Sequence, residues 1–143
     1  MIADIITRIG LLVPTLTGRI EGAMSLADLM KRNAVPQAPI AAFVIPLGLV
    51  GAGHEAGSGY FTQMFEEVVG VIVSMRGYDR TGGPSVDPLD ALIRAVINAV
   101  AGWGPATAPG VYRLRSGRMA SMEAGTAVYQ IEFALINQLR ITP

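Results

Sequence analysis

His54 and Glu55 stand side by side in "GAGHEAGSGY", residues 51 to 60, where four of ten positions are glycine. An imidazole beside a carboxylate is raw material for general-base catalysis, and a glycine-rich stretch can wrap a phosphate. Neither chemistry has the context it needs. A dinucleotide fingerprint runs G-x-G-x-x-G straight into a helix whose amides meet the pyrophosphate, and a P-loop ends in Gly-Lys-Ser or Gly-Lys-Thr. Here a β-like run follows, and Lys31, the single lysine of the chain, lies in another segment. Adjacent residues on a flexible loop do not hold each other in fixed geometry, and no second histidine completes a zinc set. The expectation is a solvated loop, with Gly53, His54 and Glu55 as candidate contacts to another subunit or to the protein on which it assembles.

The remaining chemistry-bearing residues lead the same way. On one strand Glu66 and Glu67 point to opposite faces, so they cannot serve as a paired acid and base; subunit contact is the functional role left to them. Asp87 and Asp90 are accounted for by helix capping. Serines 58, 74, 85, 116 and 121 lack a nucleophile-elbow context, and a triad would have to use His54. Arginine makes up ten of the eleven basic residues, grouped at Arg76 and Arg80 and at Arg113, Arg115 and Arg118. Their planar forks suit bidentate pairing with carboxylates across an interface, and strand alternation puts Arg113 and Arg115 on one face. The catalytic, cofactor and metal sets are therefore expected to be empty.

Composition narrows the classes. With 143 residues the chain suits one domain with a sizeable core. Zero net charge lacks the basic footprint of a dedicated nucleic-acid binder. The absence of cysteine removes disulfides, thiolate zinc sites and thiol catalysis. Only 15% of residues are charged and mean hydropathy is +0.45, which implies an apolar surface covered by partners. The uncharged runs Ala34 to Gly53 and Ala95 to Tyr112 are broken by prolines and polar residues, so no membrane span is expected. The N-terminus, with Asp4 before its first positive charge, is a poor signal peptide. The protein is expected to be cytoplasmic when made.

The elements that must position these residues follow from periodicity. Ile2, Ile5, Ile6, Ile9, Leu12 and Val13 recur at helical spacing until Pro14. Arg19 to Ala23 reads as a short strand, and "SLADLMKRN" as a second helix with Ser25 and Asp28 as its capping box. "VPQAP" is a rigid extended lead into "IAAFVIP", a covered strand that ends or becomes an edge at Pro46. In "YFTQMFEEVVGVIVSMR" the half from Val68 to Val73 must be a strand. Were all of Phe61 to Met75 one strand it would run ~50 Å, so something must bend or protrude, and Gly70 is a natural bulge. "DPLDALIRAVINAVAGWGP" is a helix with Asp87 as N-cap, Pro88 at its first position and Gly102 past its end. Its core face is Leu89, Leu92, Ile93, Val96, Ile97 and Val100, its outer face Ala91, Arg94, Ala95, Asn98 and Ala99, and Trp103 folds back on the helix end. From Val111 the period becomes two: "VYRLR", a Ser116-Gly117 turn, "RMASM", a turn at Glu123 to Gly125, then "TAVYQIEFALINQLRI", a three-stranded meander. The fold class is α+β, a mixed, largely antiparallel sheet with two or three helices on one face, in one domain with a flexible glycine-rich loop at about 47–60.

Taken in order, "MIADIITRIGLLVP", "VPQAPIAAFVIP", "QMFEEVVGVIVSMR", "DPLDALIRAVINAVAGWGP", "YRLRSGRM" and "AVYQIEFAL" resemble the tail terminator, or tail completion, proteins of long-tailed bacteriophages and of gene transfer agents. The resemblance covers almost the whole chain and rests on the order of elements, the helix ending in Gly-Trp-x-Pro and the Gly-Arg hairpin after it. It implies a non-enzymatic virion protein without cofactor. Such subunits form a ring, typically of six, on the last ring of the tail tube, stop its growth and meet the head connector. The partners implied are other copies of the chain, the tube protein, the connector and the tape measure protein, at the head-proximal end of a tail assembled in the bacterial cytoplasm. No membrane and no specific nucleic acid is implied. The alternatives are a connector or tube protein of the same particle, and a small ligand-binding domain or enzyme using residues 51 to 59.

Overall fold

The residues from Val68 to Val73 are β-branched apart from Gly70, and they form the buried middle of the strand on which the molecule is laid. The computed structural model describes residues 2–31, 39–76, 86–123 and 125–142. Along the chain come α1 (Ile2–Leu12), a 3-10 turn (Pro14–Leu16), β1 (Ile20–Gly22), α2 (Ala23–Lys31) and β2 (Ile40–Gly57). They are followed by β3 (Tyr60–Arg76), α3 (Val86–Val100), β4 (Arg113–Glu123) and β5 (Thr126–Ile141). The strands make one sheet in the order β1-β2-β3-β5-β4, with β1 parallel to β2 and every other pair antiparallel. This is the mixed, largely antiparallel α+β arrangement that periodicity predicts. Among the described residues no helix is long and apolar enough to cross a membrane.

Alternation decides what each face buries. Val69, Val71 and Val73 of β3 meet Ile131, Phe133 and Leu135 of β5 and pack under Ile5 and Ile9 of α1 and Leu92, Val96 and Val100 of α3. We call this side of the sheet the helix face. On the other side, the open face, the buried positions among the described residues are Ala41, Phe43, Val68, Gly70, Ser74, Thr126 and Ala134. The α1 stripe is narrower than its spacing suggests, since Leu12 is exposed while Val13 is buried. Ala99, expected on the outer face of α3, is buried because α1 packs there.

Several expectations need correction. Residues 47–57 are not a loop: β2 and β3 pair from Ile40↔Met75 out to Gly57↔Tyr60, with β5 backing β3 as far as Ile141. Glycine leaves a strand weak but does not forbid it, and here a third strand supports the ladder. Only Ser58 and Gly59 turn the chain. Gly70 makes no bulge, as β3 and β5 pair without a shift from Phe61↔Ile141 to Arg76↔Thr126. The irregularities lie instead in the outer strands, at Pro46/Gly48 and Gly51/His54 of β2 and at Leu114/Ser116 and Met119/Ser121 of β4, which bend around that straight pair. β1 leaves β2 at Val44, so Pro46 lies on an edge, where a missing donor is tolerated.

Nor do Ser116 and Gly117 turn the chain. They sit inside β4, opposite Glu132 and Ile131, and the meander reduces to a single β4–β5 hairpin. Gly117 is there for space: a Cβ would come within 2.8 Å of the Tyr129 hydroxyl. The expected capping box of α2 also fails, since that helix begins at Ala23 as the chain leaves β1 and Ser25 lies within its first turn. The expected start of α3, with Asp87 as N-cap and Pro88 as first helical residue, is displaced by two residues, with helix from Val86. Arg80 lies outside the described residues, as does most of "VPQAP".

Candidate functional site: the distal ribbon and its base

Beyond Pro46 the sheet outruns its helices. Residues 47–57 of β2 are exposed throughout, and with Tyr60–Phe65 of β3 and Asn137–Ile141 of β5 they form a three-stranded ribbon. Measured along the unshifted β3 from Tyr60 to Val68, at about 3.3 Å per residue, it projects roughly 25–30 Å. Apolar side chains occupy both of its faces. Leu49, Leu139 and Ile141 stand exposed on the helix face, and Val50, Met64 and Ile136 on the open face.

The ribbon carries three of the candidate residues. Gly53 lies in the bulge between Gly51 and His54. His54 pairs with Gln63 in the ladder and stacks on Phe61 at 5.9 Å. Glu55, opposite Thr62, falls on the other face, so it does not orient the imidazole. Gly53, His54, Glu55, Thr62, Met64 and Gln138 border a shallow open depression of about 370 Å³. A surface this exposed offers no shielding for a developing charge.

Glu66 and Glu67 diverge as alternation requires. Glu66, on the open face, accepts a hydrogen bond from Arg113 Nη2 at 2.9 Å across β5. The Arg113 side chain is 55% exposed, so the pair contributes at most ~1 kcal/mol. Glu67, on the helix face, receives a long 3.4 Å contact from Asn137 Nδ2. Arg113 and Arg115 do not share a face by alternation, because the Leu114/Ser116 bulge takes Arg115 out of the ladder. Ser116 is in phase with Arg113 instead and donates to Glu132 at 3.0 Å, and Arg118 stands opposite Gln130. Arg76 is exposed at the far end of β3. The described candidates are thus spread over both ends and both faces of the sheet, and Glu66 and Arg113 among them form an ion pair.

A cluster missed by sequence reasoning anchors the base of the ribbon. Arg8 of α1 donates through Nε to the Ala99 carbonyl near the end of α3 and lies 5.0 Å over the Trp103 ring. A cation suits the negative end of a helix and the face of an indole. Trp103 in turn stacks on Tyr112 at 6.0 Å, and the two backbones are tied by Tyr112 N–H to Trp103 O and Gly102 N–H to Tyr112 O. Trp103 thus closes the helix end as expected, with the segment leading into β4 as a second support. Next to it a Cβ on Gly104 would overlap the Gly110 carbonyl oxygen. Gly104→Ala should therefore lower stability by about 1–3 kcal/mol in urea titration, and an unchanged midpoint would contradict this packing.

Tyr112 is fully buried and its hydroxyl finds no hydrogen-bond partner among the described residues. Burial, with Glu67 and Asp4 adding negative potential, pushes its pKa up to about 12. The unfolded chain releases this proton near pH 10, so between about pH 10 and 12 the folded state holds a proton that the unfolded state has lost. Stability must fall through that window. Tyr112→Phe should reduce the slope of the urea midpoint against pH above about 10 and leave the midpoint near neutral pH unchanged or higher, since it removes an orphan hydroxyl. Parallel pH curves for the two proteins would refute this account of Tyr112.

Among known families, the one described as phage tail terminator protein matches residues 2–143. No curated protein matches the chain. A match over nearly the whole length joins the sheet, its ribbon and its anchoring cluster in one family unit: the chain belongs to the phage tail terminator family, structural and non-enzymatic components of the virion tail.

Proposed function

We propose that this chain assembles with copies of itself into a ring, of six subunits by the family resemblance, that caps the head-proximal end of the tail tube. The ring ends tube polymerisation and offers its free surface to the head connector. The observation that carries this reading is the distal ribbon: a long projection with apolar side chains on both faces and no second layer among the described residues of its own chain. A monomer seldom leaves such surface in water, whereas a head-to-tail ring covers it with neighbours and with the tube end. Assembly in the host cytoplasm, and tape measure protein as a further partner, belong to the same reading.

Negative-stain electron microscopy of the purified protein, alone and mixed with tail tubes, tests it. Rings, and caps on tube ends, are expected; a strictly monomeric protein that leaves tube growth unlimited refutes the reading. Deleting the gene distinguishes a terminator from a connector. Loss of the terminator gives overlong tubes, and loss of a connector gives tails of normal length that stay unattached.

A further inference from the structure

The ribbon has two free edges at the same height. On one side, β1 pairs with β2 only as far as Val44, so β2 from Ile45 to Gly57 has no outer neighbour among the described residues. On the other side, β4 pairs with β5 only as far as Arg113↔Ala134 and Gly110 lies against the Ile136 backbone, which leaves Asn137 to Ile141 without an outer strand among the described residues. Register makes these edges comparable row by row. Glu55 of β2, Thr62 of β3 and Arg140 of β5 form one row on the open face. Thus an acid stands on one edge and a base on the other, at one level. Both are exposed, and neither has an ion-pair partner among the described residues. Within one chain they are two strand spacings apart, ~10 Å, across the short Thr62 side chain.

Strand direction points the same way. β2 and β5 are each antiparallel to β3, so they run alike. Copies related by rotation about an axis along the strands keep that direction, and the β5 edge of one copy then meets the β2 edge of the next as a parallel pair. We propose that these two edges join neighbouring copies, with Arg140 of one subunit against Glu55 of the next. The occupant of each free edge is the opposite edge of a second copy. The contact is heterologous, so a given subunit uses both edges at once and the ribbons line up side by side around the ring. This inference rests on the ring reading above and specifies which surfaces make it.

Charge reversal tests it. Arg140→Glu sets a carboxylate of one copy against Glu55 of the next, and Glu55→Arg sets two guanidinium groups together. Like charges on adjacent strands repel, and each single variant should raise the concentration for half-assembly roughly tenfold, as a change of ~1.4 kcal/mol per contact does. Sedimentation velocity across a dilution series reads this. The double variant, which restores opposite charges at every junction, should assemble like the parent. An equimolar mixture of the two single variants should also assemble, because alternating subunits pair correctly on both sides. Rescue by mixing shows in addition that both single variants fold. If the single variants assemble like the parent, or if neither the double variant nor the mixture recovers, the edge pairing is overturned while the ring stands. A parent protein that is monomeric at every concentration overturns the ring reading itself.

Discussion

Val96→Asp is expected to leave no stably folded protein at neutral pH. Val96 is fully buried midway along α3, on the stripe that faces the valines of β3. An aspartate there must either carry an unpaired charge in the core or bind a proton. Holding its carboxyl neutral at about pH 7 against a reference pKa of about 3.9 costs ~4 kcal/mol. Lost valine burial adds roughly 1.5–3 kcal/mol. Together these are comparable to the whole stability of a domain, about 5–15 kcal/mol. The larger cost depends on pH and fades as pH approaches about 4, whereas Val96→Asn bears a similar polar burden without it. Circular dichroism should therefore find the aspartate variant unfolded at neutral pH and partly restored in mild acid, and the asparagine variant insensitive to pH. A cooperative transition at the parent's midpoint for Val96→Asp at neutral pH would remove Val96 from the core.

That prediction needs little more than local sequence, and the reason shows which parts of the fold are legible there. The spacing of Leu89, Leu92, Val96 and Val100 defines a helix stripe, and the run from Val68 to Val73 defines a covered strand; both signals lie within a few residues of one another. The ribbon reads as a loop from sequence because glycine is a local indicator, while strand pairing is a non-local outcome. Gly51 becomes strand because Phe65 lies opposite it and Asn137 opposite Phe65, far along the chain. Ser116-Gly117 is the same case, a local turn signal overridden by pairing with Glu132 and Ile131 of β5. Among candidate site residues, alternation separates Glu66 from Glu67 correctly, since β3 carries no shift against β5. It fails for Arg113 and Arg115 because a bulge intervenes, and no sequence feature announces one there. The Arg8, Trp103 and Tyr112 cluster joins three separate segments, and no local pattern brings them together. Its one hint is a tryptophan held between two glycines after a helix.

Removing the ribbon should abolish assembly and leave the subunit folded. Val50 and Glu66 face one another across β2 and β3, so replacing residues 51–65 with a two-residue Asn-Gly turn closes a shorter hairpin in the existing register. None of the residues removed is among the buried residues of the core. What is lost is the ladder itself, the His54–Phe61 stack and the pairing of the last residues of β5, all in solvent-facing structure. Regions with few buried apolar contacts add little to global stability, so the expected fall is about 1–2 kcal/mol, equivalent to roughly 4–8 °C in Tm for a domain of this size. Assembly has no such margin. Every subunit in the proposed ring supplies both edges of its ribbon, and a shortened copy supplies neither, so rings and capped tubes should vanish together in electron micrographs. The charge variants weaken the same contact by a measurable step; the deletion removes the surface. A truncated protein that still forms rings and halts tube growth would place the working surface on the body of the sheet, with the β4 arginines and the exposed face of α2 as its remaining material.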